Sequence, residues 1–388
     1  MAAPLQRALL GDDAAERPEL DVRIHCLRYK PATNLVVHYD VGLEGRWHHA
    51  TAMIAIDRSM SRRAADPANL ALARQVDGRS PAALPLAYDD QLGALIQWLP
   101  LDLWLPALAS SVGQWRQLLR HAGVTTGIGR GEPVLLAYKP RRRAVLRLGR
   151  HVVKVYAGED DFERAARGLA TLDRLGHVPS PRCEAVIPTA SATVQTLLRG
   201  RSPAAPLDVA GPAGQLLADL HRAKAEGAEV VSPSSQLAAA ARSAALATTV
   251  VPELADRLGR LLADLENSLP SGLPEVLSHG DFHARQLLVH RQELSLVDPD
   301  ELCVAPAALD LATFAAHLVG VGGADDLTDT GHALDALVDG YGDRPDALGW
   351  YLATAVLRRA PGPFRTLDDH WPQAVTAQVA AAEVVRRW

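Results

Sequence analysis

One stretch of sequence, residues 277–289, limits most strongly what this chain can be. An apolar run leads into a His-Gly-Asp turn that carries Asp281. Two further apolar runs, residues 287–289 and 294–297, predict the strands of a short hairpin, and Asp298 follows the second of them directly. The pattern therefore predicts acidic side chains gathered at the mouth of one small sheet.

Asp281, Gln286 and Asp298 are the polar side chains of this hairpin that matter chemically. Phosphoryl transfer needs a carboxylate that orients the attacking hydroxyl, and oxygen ligands that hold Mg²⁺ on the phosphates. Two carboxylates and one amide provide such a set. The alternative interpretation is a surface hairpin whose acids are merely solvated.

Two motifs carry a family resemblance: His-Gly-Asp-x-His-x-x-Gln at residues 279–286 and Val-Asp-x-Asp at residues 297–300. They resemble the catalytic and metal-binding segments of the aminoglycoside phosphotransferase and choline kinase superfamily, and the resemblance runs from about residue 133 to the C-terminus. Most members carry Asn where this chain has Gln286. Glutamine at that position resembles the maltokinase and bacterial glucosamine kinase branch, and it retains an amide oxygen.

The resemblance implies an α+β fold, bilobal and protein-kinase-like, with a small antiparallel-sheet lobe and a larger helical lobe. Residues 1–125 are then expected to form an extra N-terminal α+β cap domain, as in maltokinase-like members. Residues 126–200 would form the kinase-like N-lobe. Residues 201–388 would form the helical C-lobe that contains the catalytic hairpin.

The apolar periodicity of the N-terminal third gives its own predictions. Residues 22–56 alternate in the manner of a three-stranded antiparallel meander, and residues 95–100 resemble another short strand. A helix is expected over residues 106–121, which end just before a glycine. Residues 1–20 are expected to be a loose start, and residues 61–90 a loop or short helix.

The same reasoning predicts a sheet-rich segment followed by a helical one. The expected strands of the small lobe are residues 133–138, 145–148, 152–156 and 192–198, with a helix over residues 161–175. The helices expected beyond it are near residues 210–226, 236–247, 252–269, 309–318, 331–341, 345–359 and 371–387.

Lys154 is a charged residue inside an apolar strand. The resemblance implies that it pairs with the α- and β-phosphates of ATP, and that Glu163, an acid near the start of the next helix, supports it through an ion pair. Other interpretations stay open. An exposed lysine on a half-buried strand gives the same pattern, and acids at a helix start are also explained by the helix dipole.

Three further residues are assigned to the nucleotide through the resemblance. Arg142 lies in the turn of residues 139–143, which corresponds to the glycine-containing turn that covers the phosphates in kinases. This turn has no glycine, so side-chain contact to phosphate is expected instead, unless the turn is simply a solvated basic surface. Thr196 and Leu198 are expected to offer backbone groups to adenine.

Around the hairpin, the resemblance gives each residue a role. Asp281 would accept a hydrogen bond from the substrate hydroxyl and orient it, whereas Gln286 and Asp298 would bind Mg²⁺. The supporting residues are His279, His283, Asp300 and Asp310. A structural role is expected for His279. Asp310 would brace the catalytic loop, although an ordinary acid at a helix start is the equal alternative.

Composition excludes several other classes. The 388 residues carry a net charge of −5, which gives no reason to expect nucleic-acid or anionic-membrane binding. The three cysteines are widely spaced, as is usual in a reducing cytoplasm. No basic segment followed by an apolar run opens the chain, and no stretch is long and apolar enough for a membrane span. A cytoplasmic protein is expected.

Together these observations predict an ATP- and Mg²⁺-dependent small-molecule kinase. It would transfer the γ-phosphate to a hydroxyl of a sugar, an amino sugar or an aminoglycoside-like acceptor. Asp325, Asp326 and Asp329 would attract a cationic acceptor, unless they only cap a surface helix. The alternative is a catalytically impaired pseudokinase that binds a nucleotide or a partner, and Gln286 with the glycine-free turn favours it.

Overall fold

The structure is a computed structural model that describes residues 2–10, 20–57, 59–224, 228–320 and 327–388. The chain divides into two compact units. The first unit comprises Met1–Phe162, Glu184–Leu197 and Arg365–Leu367, and the second comprises Glu163–Cys183, Leu198–Phe364 and Asp368–Trp388. The domain boundaries expected near residues 125 and 200 stay a prediction.

The first unit begins with a helix and a five-stranded antiparallel sheet. Its elements are α1 (Ala2–Leu10), β1 (Asp21–Lys30), β2 (Asn34–Leu43), β3 (Arg46–Ala55), α2 (Ser59–Ala65), α3 (Pro67–Gln75), β4 (Leu86–Asp89) and β5 (Ala94–Trp98). The strand order is β1-β2-β3-β5-β4. The meander and the strand near residue 95 are thus confirmed.

One local prediction for this region was wrong, and a second was only partly right. Residues 2–10 are helical rather than loose, because Leu5, Ala8 and Leu9 follow helical spacing and are buried together. The segment of residues 61–90, expected to be a loop or short helix, contains the short helix α3 and most of α2, but it also contains the strand β4. In that segment Ala73 and Val76 are buried in the same core as Leu95.

The helix expected over residues 106–121 is interrupted. A 3₁₀ turn, Pro106–Ala109, precedes α4 (Val112–His121). Ser111 ends the interruption because its hydroxyl accepts the backbone N–H of Gln114, whose side chain in turn accepts the N–H of Ser111. This capping box fixes the start of α4.

A second five-stranded sheet completes the first unit. Its strands are β6 (Val134–Lys139), β7 (Arg143–Leu148), β8 (His151–Tyr156), β9 (Cys183–Ile187) and β10 (Ala192–Thr196), in the order β6-β7-β8-β10-β9. The helix α5 (Glu159–Leu175) lies between β8 and β9 in the chain. Strand β9 was not predicted. Its five residues are only alternately and partly buried, and so short a segment has only a weak apolar pattern in the sequence.

The second unit is mainly helical. Its helices are α6 (Pro206–His221), α7 (Pro233–Val250), α8 (Ala255–Asn267), α9 (Ala308–Ala316), α10 (Leu327–Tyr341), α11 (Leu348–Arg359), α12 (Gly362–Thr366) and α13 (Trp371–Val385). All nine residues of α9 are buried. The helices therefore form a core around α9, and the predicted change from sheet to helix is confirmed.

Short strands interrupt the helices of this unit. They are β11 (Glu229–Val230), β12 (Glu275–Ser278), β13 (Leu287–His290), β14 (Glu293–Leu296) and β15 (Cys303–Pro306). The pair β13–β14 is the predicted hairpin, with Leu287 opposite Leu296. The predicted helix end near residue 226, and the acids Asp325 and Asp326, lie outside the described residues. No described helix is long and apolar enough to cross a membrane.

Candidate active site

One buried carboxylate accepts two hydrogen bonds from the backbone of the turn that carries Asp281. Asp310, on α9, accepts the backbone N–H of His279 on Oδ2 (2.6 Å) and the N–H of Gly280 on Oδ1 (2.9 Å). Asp310 has no exposed surface. Because two backbone donors are satisfied by one rigidly placed acceptor, the turn has a fixed position on the helical core.

Asp310 is itself positioned by residues that the sequence did not single out. Oδ2 of Asp310 lies 3.2 Å from Nε2 of His221, at the end of α6, and Nδ1 of His221 lies 3.0 Å from the Tyr341 hydroxyl. The only sequence signal for this chain of contacts is a histidine that ends an apolar helix. That signal does not identify a partner 89 residues away.

Gly280 is required by its surroundings. Its φ is +82°, and a Cβ built on it would lie 2.1 Å from the carbonyl oxygen of Glu301. No side chain fits there, so the backbone of residues 279–281 can approach the segment after β14 closely only with glycine at this position.

His279 connects two backbone segments of the site through its ring nitrogens. Its Nε2 lies 3.0 Å from the carbonyl oxygen of Val297, which can only accept, so Nε2 carries the hydrogen. Nδ1 then accepts the backbone N–H of Asp281 at 3.4 Å. The ring is fully buried and links the Asp281 turn to the end of the hairpin.

The hairpin brings together the three residues that the sequence placed at its mouth. Nε2 of Gln286 donates to Oδ2 of Asp298 (3.0 Å) and reaches Oδ2 of Asp281 (3.5 Å). Gln286 is buried, and its backbone is fixed because its carbonyl accepts the N–H of Val297 (2.9 Å). One amide thus lies against two carboxylates.

These side chains have the chemistry of a Mg²⁺ site, since Mg²⁺ prefers carboxylate and amide oxygens. In the structure, Nε2 rather than Oε1 of Gln286 faces the carboxylates. A magnesium ion held by Gln286 and Asp298 would take Oε1, which a half-turn of the amide group brings to the same place. The donor set therefore fits the ion.

Asp298 has an unusual backbone. Its φ and ψ are 64° and 54°, a left-handed conformation that aspartate adopts more readily than most other non-glycine residues. Asp300 follows within a 3₁₀ turn and is buried. With this backbone conformation the Asp298 carboxylate contacts Gln286. Asp300 belongs to the 3₁₀ turn that follows Asp298.

His283 lies beside Asp281 and stacks on a second imidazole. Nε2 of His283 is 3.8 Å from Oδ2 of Asp281, and its ring stacks on that of His317 with centroids 3.9 Å apart. Burial is the main cause that lowers the pKa of His283 to about 4 and that of His317 to about 3. Both rings are therefore neutral at neutral pH. His317 was not anticipated from the sequence.

Positive charges also face this group. Arg359, at the end of α11, and Arg285 act electrostatically on both imidazoles and further lower their pKa, and the charge of Asp281 in turn acts on Arg359. The sequence offers Arg358 and Arg359 only as basic residues at a helix end. The charge of Asp281 acts on both arginines, and α11, which carries them, packs against α9.

In the first unit, Lys154 lies on the central strand β8, opposite Val145 of β7 and Thr193 of β10. It is only 4% exposed, so the exposed-lysine interpretation is wrong. In the second unit, Glu163 is exposed and forms an ion pair with Arg167 one helical turn later (3.3 Å). The pairing of Glu163 with Lys154 stays a prediction.

In the glycine-free turn between β6 and β7, Arg141 has a left-handed backbone conformation, which is usually found at glycine. Arg141 has a φ of +61°, and its backbone N–H donates to Oδ2 of Asp102 (3.0 Å). The same Oδ2 accepts the hydroxyl of Tyr138 (2.8 Å), and the Arg141 guanidinium stacks on Trp104. This backbone N–H is thus already engaged, whereas the side chain of Arg142 is exposed.

The residues expected at adenine lie at the end of β10. Thr196 is its last residue, so the strand is two residues shorter than predicted, and Leu198 lies beyond it. The chain leaves the sheet after the N–H of Leu197 donates to the carbonyl of Arg150. Both Thr196 and Leu198 are partly exposed.

Comparisons with known proteins give the family. The sequence model of the phosphotransferase enzyme family (APH) matches residues 130–351, more than half of the 388-residue chain. A comparison with curated proteins finds no match. A spectinomycin phosphotransferase structure is 15% identical, with 72% of this chain and 99% of that chain covered and a TM-score of 0.50. That likeness shows a shared fold.

Two further solved structures are similar. An aminoglycoside phosphotransferase from Streptomyces rimosus is 19% identical over 64% of this chain and 98% of its own, with a TM-score of 0.44. A macrolide 2′-phosphotransferase from Brachybacterium faecium is 22% identical over 69% of this chain and 97% of its own, with a TM-score of 0.46. The family match covers the whole of the Asp281 turn and the hairpin, and on that ground the chain belongs to the phosphotransferase enzyme family.

Proposed function

We propose that this phosphotransferase is an ATP- and Mg²⁺-dependent kinase that phosphorylates a hydroxyl of a sugar, an amino sugar or an aminoglycoside-like small molecule. The observation that carries the proposal is the contact of Gln286 with both Asp281 and Asp298 on one braced hairpin. Phosphoryl transfer consists mainly of positioning and charge stabilisation, and this arrangement supplies both.

Asp281 is the proposed catalytic residue. Its carboxylate, partly exposed on a turn fixed by Asp310, would accept the hydrogen bond of the acceptor hydroxyl. The hydroxyl oxygen would form a bond to the γ-phosphorus while the bond to the β-phosphate oxygen breaks, and the hydroxyl proton would go to Asp281. Mg²⁺, held by Gln286 and Asp298, would neutralise charge on the phosphates.

Other residues are proposed on the nucleotide side. Lys154 would pair with the α- and β-phosphates, and Glu163 is the proposed acid that supports it. Arg142 would contact phosphate through its exposed guanidinium, because the turn does not offer a glycine-lined backbone. Thr196 and Leu198 would offer backbone groups to adenine.

The charges near Asp281 favour some acceptors over others. Arg285 and Arg359 act on the imidazoles beside Asp281, and those imidazoles are neutral. Asp329 is exposed in the first turn of α10, as a surface acid would be. Because arginine charges act on the group that contains the proposed base, a neutral or singly charged sugar is favoured over a polycationic aminoglycoside.

The test is ATP consumption with Mg²⁺ against sugars, amino sugars and aminoglycosides, with Asp281→Asn in parallel. We expect turnover with one acceptor class, and a loss of about 10²–10⁴-fold in kcat for the variant. Asp369→Asn, which changes an exposed acid, is the matched control and should keep full activity. Equal turnover by Asp281→Asn would remove Asp281 from the mechanism.

A pseudokinase that binds nucleotide without turnover is the second candidate. It is favoured by the orientation of the Gln286 amide and by the engaged backbone of Arg141. Thermal shift with Mg²⁺-ATP separates the cases, in wild type and in Gln286→Leu. Stabilisation without turnover on any acceptor supports the pseudokinase. Turnover whose Mg²⁺ requirement rises about 10–100-fold in Gln286→Leu supports the kinase.

A further inference from the structure

Four polar side chains converge on one face of the N-terminal sheet, within the first unit. They are His25 on β1, His38 and Asp40 on β2, and His49 on β3. Asp40 is directly opposite His49, and the pairing of β1 with β2 shifts register at His25. Such a bulge re-aims a side chain, and here it turns His25 toward the other three.

The nitrogen and oxygen atoms of this cluster are close together. Nδ1 of His49 lies 2.9 Å from Oδ1 of Asp40 and 3.1 Å from Nε2 of His38. Nδ1 of His25 lies 3.0 Å from Oδ2 of Asp40. One atom each of His38, Asp40 and His49 all lie within 4.8 Å of one another.

Hydrogen bonds within the cluster do not account for it fully. Nδ1 of His49 faces two partners but carries at most one hydrogen. His38 is 2% exposed, and its Nδ1 has no hydrogen-bond partner among the described residues. Three imidazoles and one carboxylate thus place several lone-pair-bearing nitrogen and oxygen atoms close together. A bound cation can accept lone pairs from several of these atoms at once, whereas one proton joins only two of them.

The residue types and burial of the cluster suit a transition metal. Imidazole nitrogen and carboxylate oxygen are among the ligands that Zn²⁺ takes in proteins. His38 is buried, and Asp40 and His49 are partly buried, so the ligand atoms are partly withdrawn from solvent.

We propose that His38, Asp40 and His49 form a site for a divalent transition metal, with Zn²⁺ as the preferred ion and with His25 as the partner that orients the Asp40 carboxylate. Zinc takes four nitrogen and oxygen ligands at about 2.0–2.2 Å, which places tetrahedral ligand atoms about 3.4 Å apart. The 2.9–3.1 Å contacts among His38, Asp40 and His49 need only small side-chain movements to reach that spacing. Three protein ligands would leave the fourth position of the ion to water or another small ligand.

The site would stabilise more than the sheet it occupies. His38 packs edge-to-face on Tyr138, with centroids 5.2 Å apart. The hydroxyl of Tyr138 donates to Asp102, which also holds the backbone of Arg141. The metal ligands would thus be connected through two side chains to the turn of residues 139–143.

The test is a titration of the metal-stripped full chain with Zn²⁺ alone, by calorimetry, and with Co²⁺, whose visible absorption reports tetrahedral coordination. We expect one equivalent of Zn²⁺ to bind and to raise the thermal midpoint. His49→Ala and Asp40→Asn should lower the affinity at least about 10-fold. Because those residues are partly buried, His25→Ala, which changes a half-exposed side chain, is the variant least able to disturb folding and should also lower the affinity.

Two controls make the outcome decisive. His121→Ala removes an exposed histidine of α4 and should bind Zn²⁺ as wild type does. Asp281, His283 and His317 also place ligand atoms within 4.8 Å of one another in the second unit, so His317→Gln must be titrated as well. The proposal is overturned if wild type binds no Zn²⁺, or if His317→Gln loses the site while His49→Ala and His25→Ala keep it. None of these readouts depends on kinase activity.

Discussion

The carboxylate of Asp310 accepts the backbone N–H of Gly280 at 2.9 Å, from a position 30 residues later in the chain. The same carboxylate accepts the N–H of His279, and it is fully buried. The turn that carries the proposed base is therefore attached to the helical core through a side chain rather than through its own strand.

Asp310→Asn should destabilise the second unit and reduce activity. Asparagine keeps one acceptor oxygen and directs an NH₂ group at the other backbone donor, which leaves a buried N–H without a partner. We expect a loss of about 3 kcal/mol in the free energy of unfolding, measured by urea titration. Asp335→Asn, on the exposed side of α10, is the control and should change little. Unchanged stability would show that Asp310 does not hold the turn.

Gly280→Ala should be more harmful than the strain of its φ alone explains. The added Cβ would meet the carbonyl oxygen of Glu301 at 2.1 Å, so the backbone has to move. Gly272→Ala is the matched control, because Gly272 has a φ of +68° with no atom within 4 Å of the added Cβ. We expect about 1 kcal/mol of destabilisation for Gly272→Ala and about 3 kcal/mol for Gly280→Ala, by thermal or urea unfolding. Equal effects would contradict the steric argument.

Tyr138→Phe tests the contact of the tyrosine hydroxyl with Asp102. Removal of the hydroxyl takes one donor from a buried carboxylate that also orients the backbone of Arg141. The expected loss of stability is about 2 kcal/mol, the range for a hydrogen bond to a charged group. If the turn contacts the nucleotide, KM for ATP should rise while kcat changes little. Tyr88→Phe, on β4, serves as the control, and a variant that matches wild type in both quantities would rule out this role.

His317 should make the stability of the second unit depend on pH. Burial, with Arg359 and His283, lowers its pKa to about 3 from the ordinary 6.5. The unfolded chain therefore binds a proton between these values while the folded protein does not. The free energy of unfolding is therefore not reduced by this group above pH 6.5. It falls as the pH falls toward 3, with a slope of at most about 1.4 kcal/mol per pH unit.

His317→Gln should reduce that slope, as measured by urea unfolding at several pH values within the window from about 3 to 6.5. The control is His332→Gln, which replaces an exposed histidine on α10 and should leave the slope of wild type. A wild-type slope in the His317 variant would mean that the ring is protonated in the folded protein over this range.

Sequence patterns were sufficient where the physics is local. The meander follows from alternation, the hairpin from two apolar runs, and the closeness of Asp281, Gln286 and Asp298 from their positions around that hairpin. Local patterns were misleading where burial decides the structure. Residues 2–10 form a helix because Leu5, Ala8 and Leu9 are covered, and β9 forms although its own pattern is faint.

By itself, the sequence determined the family and the hairpin that carries the proposed chemistry, because short motifs fix a turn and the residues that follow it. Tertiary structure alone decided which distant groups act on that turn: Asp310, His221 and His317 are brought there by the packing of α6, α9 and α11. The cluster of His25, His38, Asp40 and His49 likewise exists only once three strands pair in register. Contacts between residues far apart in the chain depend on the burial of whole elements, and no local pattern encodes them.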